Sequence, residues 1–81
     1  MRDVFAQVDE LVRELLPDLE GDIDPSANFE DLGMDSMTMV DLLIKVERTF
    51  DLQIPDAAIA DLDRVQRLVD FVEAHQQREL A

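Results

Sequence analysis

Apolar side chains recur at Val4, Phe5, Val8, Leu11, Val12, Leu15 and Leu16. Spacings of three and four residues lay them along one side of a helix, so the pattern predicts a helix over residues 3–16. Pro17 stops it, because the residue before a proline is pushed out of the helical backbone region. The periodicity then lapses. Pro17, Gly21, Pro25, Ser26, Asn28 and Gly33 punctuate residues 17–35, a connection long for a compact domain and of the kind that often carries function. Ile23, Phe29 and Leu32 are its apolar anchors, expected to tuck against the helices.

The helical period resumes at Ser36. Met39, Leu42, Leu43, Val46 and Phe50 form the inward face of a second helix over residues 36–50, with Asp35 placed to cap it. Ile54-Pro55 ends the extended stretch that follows. Residues 56–61 form a short helical turn, opened by Pro55 and capped by Asp56. A last helix spans residues 64–77, with Val65, Leu68, Val69 and Val72 inward and Phe71 on the flank. Asp63 and Gln66 ahead of it have the spacing of a capping box. No stretch alternates with the period of a strand, and no internal repeat is present. The expectation is a single domain, residues 1–81, of all-α class: a small four-helix bundle with three main helices, one short helix and a long first loop.

Charge is distributed unevenly over this frame. The chain has 20 acidic and 7 basic residues, a formal net charge of −13. Residues 17–35 alone carry −7 and residues 51–63 carry −4, whereas residues 36–50 are neutral because Lys45 and Arg48 balance Asp41 and Glu47. The acidity therefore sits in two connections at the ends of the second helix. A phosphate backbone is excluded as a partner, since no basic surface exists to release its counterions, and an anionic membrane is equally disfavoured. A partner with a basic docking surface fits. Aligning Asp18, Glu20 and Asp22 with a calcium loop puts Ile23 where glycine is required and Phe29 where the bidentate glutamate belongs, so that site is rejected. No stretch has the apolar length of a membrane span, and the first residues lack the apolar core of a signal peptide; a cytoplasmic protein is expected.

The chemistry available is narrow. The chain has no cysteine and one histidine, His75, expected on the surface of the last helical turn. It has no thiol of its own, no disulfide, no cysteine metal site and no base near Ser36, so a catalytic role for the chain is not expected. Ser36 falls at the first residue of a helix that Asp35 caps, exposed and behind a long loop. Backbone N–H groups and the helix dipole favour a phosphate there. As a dipeptide, Asp-Ser only begins a helix; its setting gives it meaning.

That setting, Asn28-Phe29-Glu30-Asp31-Leu32-Gly33-Met34-Asp35-Ser36-Met37, with Glu47 to Phe50, Ile54-Pro55-Asp56 and Val65-Gln66, resembles the acyl carrier protein family over essentially the whole chain. The resemblance implies that Ser36 receives 4′-phosphopantetheine from coenzyme A through a phosphopantetheinyl transferase, and that acyl groups are held as thioesters on the arm. It implies that Asp35 is the acid beside the modified serine. It makes Met37, Val40 and Ile44 apolar contacts for partner enzymes such as an acyltransferase or a ketosynthase, with Asp41 and Glu47 as docking acids. Met34 and Met37 read as adaptable contact surface and Met39 as core. The carrier is expected to act as a monomer. An acyl chain would lodge between the second helix and its neighbours, with Val46 a position to test.

Lys45 and Arg48 depart from the almost purely acidic second helix of fatty-acid carriers. Asp41 and Lys45, four residues apart, are placed to pair. The departure turns the expectation towards polyketide or other specialised biosynthesis beside fatty-acid synthesis. One lysine against six arginines points mildly the same way. Two alternatives stay open from sequence: an aminoacyl or peptidyl carrier, distinguished by neighbouring adenylation enzymes, and an unmodified acidic interaction domain, in which Ser36→Ala would leave activity in cells intact.

Overall fold

The computed structural model describes residues 3–76; Gln77, where the sequence pattern ends the last helix, lies outside them. Among the described residues four α-helices follow one another: α1 (Val4–Leu15), α2 (Ser36–Phe50), the short α3 (Asp56–Ile59) and α4 (Val65–Gln76). Asp3 caps α1 by accepting from the Phe5 N–H at 3.2 Å. Val4, Val8, Leu11 and Val12 from α1 meet Leu42, Leu43, Val46 and Phe50 from α2 and Val65, Leu68, Val69 and Val72 from α4 in the buried core, while Phe5, Leu15, Leu16 and Met39 of the expected faces are partly buried against it. α1 packs on both α2 and α4 and so forms the spine of the bundle. No described helix is long and apolar enough to cross a membrane.

The ends of the elements differ from the expected ones in instructive ways. The capping box at α4 does not form. The Val65 and Gln66 N–H groups donate instead to the carbonyls of Ala27 at 3.1 Å and Pro25 at 2.8 Å. The first loop thus supplies the acceptors that the start of α4 lacks. The Gln66 side chain turns the other way, to Asp70 at 2.8 Å. Asp56 is the first residue of α3 rather than its cap; Pro55 holds the cap position without a side-chain bond. Lys45 pairs with Glu14 of α1 at 3.4 Å and not with Asp41. The packing of α1 on α2 offers it an acid across the interface.

Glu47 has a structural role in addition to the one expected of it. The expected docking acid is half-buried, and its Oε2 accepts from the Ile54 N–H at 2.8 Å. One carboxylate therefore ties the end of α2 to the extended stretch ahead of α3, where Ile54 is a core residue. Asp51 makes the turn between them in left-handed backbone, φ 54. Glu47→Ala should cost about 1–3 kcal/mol, because the Ile54 N–H loses a charged acceptor. Urea denaturation measures it: a lower midpoint at unchanged slope is the expected result.

Candidate functional site

The long loop is not slack. Phe29 is almost wholly buried, 2% exposed. Its N–H donates to the Asp63 carbonyl at 3.0 Å, and its own carbonyl accepts from Leu32 and from Met34, each at 3.1 Å. Between these bonds runs a single 3₁₀ turn, Glu30–Leu32, closed by Gly33 at φ 103. That backbone suits glycine because a Cβ there is strained by conformation alone; no neighbouring atom lies within 4 Å of its ideal position. Arg64 extends the clamp by donating to the Ser26 carbonyl at 2.9 Å. Arg13 reaches from α1 to the Gly21 carbonyl. The loop is thereby fastened to α1 and to the start of α4 before it delivers the chain to α2.

Ser36 is the first residue of α2 and is exposed. Asp35 precedes it in extended backbone and accepts from the Thr38 N–H at 2.8 Å. The bond to the Thr38 backbone N–H, then that to its hydroxyl, holds the Asp35 carboxyl below its ordinary range. Bonds to the Ser26 N–H and hydroxyl lower Asp24 in the same way. A carboxyl depressed in the folded state adds stability above its unfolded value and loses it as pH falls through the folded value. Stability should therefore drop as pH falls below about 4. Asp35→Asn, which keeps an acceptor at the cap, should blunt that drop, whereas Asp35→Ala should lower the melting temperature at neutral pH as well. Thermal melts across acid pH test both.

Beside Ser36 opens a trough of about 650 Å³. Its apolar floor comes from Phe29, Met34, Met39, Val40, Leu43, Ile59 and Leu62, and Ser36, Asp35 and Asn28 stand at its polar edge. Val46, fully buried, is not in the lining, so the position proposed from sequence for testing chain shielding lies behind the wall. Val46→Phe should overpack the core at a cost of about 1–3 kcal/mol. It should leave the trough unfilled, and equilibrium unfolding will read the loss.

The remaining site residues divide. Met37, Val40 and Ile44 are 78%, 55% and 42% exposed, and Asp41 is exposed with them on α2. Met34 does not join this surface. At 3% exposure it is a core residue, turned inward by the Phe29 carbonyl that its N–H meets, and it lines the trough floor. Met39 is half-buried against the core, as expected. Ile59 of α3, 40% exposed and on the trough wall, was not singled out from sequence. An isoleucine among alanines and aspartates on a four-residue helix was the available clue. His75 is exposed, stacked on Phe71, with its Nδ1 2.8 Å from the Phe71 carbonyl, and takes no part in the site. Among the described residues no cluster of histidine or carboxylate groups could hold a metal ion.

A 4′-phosphopantetheine arm fits this donor set. The Ser36 hydroxyl is exposed at a helix N-terminus that favours a phosphodiester, and Ser36 also lines an apolar trough. Comparison with known proteins agrees. The family model described as "Phosphopantetheine attachment site" matches residues 6–72. An acyl carrier protein of Cyanidioschyzon merolae is 35% identical over 77 residues, covering 94% of this chain and 85% of its own. The crystal structure of an acyl carrier protein from Thermotoga maritima superposes with a TM-score of 0.78 at 32% identity, covering 96% of this chain and 91% of that one. Hexanoyl carrier protein from the actinorhodin polyketide synthase of Streptomyces coelicolor shares the fold, with a TM-score of 0.80 at 20% identity over 91% of each chain.

Proposed function

The chain belongs to the acyl carrier protein family, and we propose that Ser36 is the residue that takes its 4′-phosphopantetheine arm. One observation carries this choice: Ser36 is the exposed hydroxyl at the start of a main helix, and it lines an apolar trough. The other hydroxyls are placed differently. Ser26 donates to Asp24 at 2.9 Å, Thr38 is half-buried beside the Asp35 cap, and Thr49 lies near the far end of α2.

The arm supplies a thiol, which a chain without cysteine lacks. The chain's own residues hold and present. Asp35 fixes the first turn of α2 so that the Ser36 hydroxyl faces outward, and the dipole of α2 offsets negative charge placed on that oxygen. The carboxylate beside Ser36, Asp35, is held by the Thr38 N–H as the helix cap, and we read the chain as a substrate of a separate transferase and not as a catalyst. Met37, Val40, Ile44 and Asp41 form the surface we assign to partner enzymes, among them a phosphopantetheinyl transferase and acyl-loading or ketosynthase-type enzymes. The single domain acts as a monomer on this reading. Lys45 and Arg48, which bring the second helix to neutrality, support specialised biosynthesis of the polyketide kind over primary fatty-acid synthesis.

Incubation with coenzyme A, Mg²⁺ and a broad-specificity transferase tests the site. Intact mass should rise by one arm, and fragmentation should map the addition to the peptide containing Ser36. An addition at Ser26 or Thr49, or none under conditions that convert a known carrier, overturns the assignment.

A further inference from the structure

The balance of charge on α2 conceals an asymmetry between its two basic residues. Lys45 is occupied by Glu14 across the α1–α2 interface at 3.4 Å. Arg48 is exposed and makes no ion pair among the described residues. Its position around the helix is informative. At about 100° per residue, with Met37 as zero, Asp41 lies at about 40°, Ile44 at about −20°, Val40 at about −60° and Arg48 at about 20°. Arg48 thus lies within the exposed apolar stripe, opposite the buried face of Leu42, Leu43, Val46 and Phe50. It stands about 18 Å along the axis from Ser36. At the Ser36 end the exposed charges are Glu30, Asp31 and Asp35, all acidic.

We propose that Arg48 sets partner specificity: the docking stripe of α2 fits an enzyme surface that is basic near Ser36 and Asp41 but presents an acidic side chain opposite Arg48. The proposal rests on the carrier reading above and deepens it. A wholly basic docking surface meets a like charge at Arg48, a mismatch of the kind that rejects wrong partners and is relieved by reversing one sign. The two-signed pattern also fixes direction, because a partner docked the other way along the helix would set its acid against the acidic end. Arg48 lies in the last turn of α2, where a cation also suits the helix dipole; affinity for a partner separates that role from the one proposed.

The test measures the dissociation constant of the unmodified protein for a purified malonyltransferase whose docking surface is wholly basic, at low and at high salt. Arg48→Glu should tighten binding roughly fivefold at low salt, with the gain shrinking at high salt, and Arg48→Gln should give a smaller gain. Arg67→Glu on α4 makes the same change of net charge away from the stripe and should have little effect. Converting the transferase base that faces residue 48 to glutamate should restore preference for the wild-type arginine. Unchanged or weaker binding by Arg48→Glu, with circular dichroism showing an intact fold, overturns the proposal. So does equal tightening by Arg67→Glu, which would make net charge the cause. Mapping of the arm to Ser36 is independent of these affinities, so failure of the carrier assignment and failure of the Arg48 proposal are read separately.

Discussion

Replacing Ser36 with alanine should leave the protein folded at its original melting temperature and abolish all mass gain on incubation with coenzyme A and a transferase. The side chain is exposed, and the cap of α2 belongs to Asp35. Alanine is the best helix former and fits the first helical position. Exposed substitutions away from a cap or the core stay within about 0.5 kcal/mol. The loss of modification should nevertheless be complete, since the first turn of α2 offers Thr38 as its only other hydroxyl, half-buried beside the cap. In cells the same variant should abolish product formation wherever this carrier is required. Retained activity would instead favour an unmodified interaction domain. Residual modification would mean that another hydroxyl accepts the arm.

Much of this site was legible because it depends on local physics. An acid ahead of a serine ahead of a helical period specifies a cap, an exposed hydroxyl and a helix end, and α2 spans the expected residues 36–50. The buried stripes of α1 and α4 were legible for the same reason. What could not be read were relations between distant segments. The carbonyls of Pro25 and Ala27 stand in for the capping box of α4. No pattern in either segment announces the other. Lys45 had a suitable acid four residues away, yet helix packing brought Glu14 to it. Met34 reads as contact surface from sequence because it flanks Ser36 in a carrier that must fit several enzymes. The left-handed turn at Gly33 and the bond to the Phe29 carbonyl instead send its side chain into the core. Glu47 counted as free charge until the turn at Asp51 brought the Ile54 N–H back to it. In each case the residue type was compatible with two roles, and tertiary closure chose one.

Phe29→Ala should be the most damaging single change in the loop. The ring is among the largest fully buried side chains, and removing it leaves a cavity that the surrounding helices fill only in part. Phenylalanine-to-alanine changes in cores cost about 3–5 kcal/mol. At about 0.05–0.15 kcal/mol per residue, a domain of this size has only about 4–12 kcal/mol in total, so the variant should lose a large share of its stability. Urea unfolding should show a much lower midpoint with the slope retained. A second consequence separates the loop from any other core position. The Phe29 backbone bonds join the 3₁₀ turn to Asp63, and this junction delivers the chain to Asp35 and Ser36. Phe29→Ala should therefore slow transfer of the arm even in the folded fraction at low temperature. Val72→Ala, an equally buried change on α4 outside the trough lining, should destabilise without that additional slowing. If the two variants, matched for fraction folded, accept the arm at the same rate, the loop does not position Ser36 and its order serves stability alone.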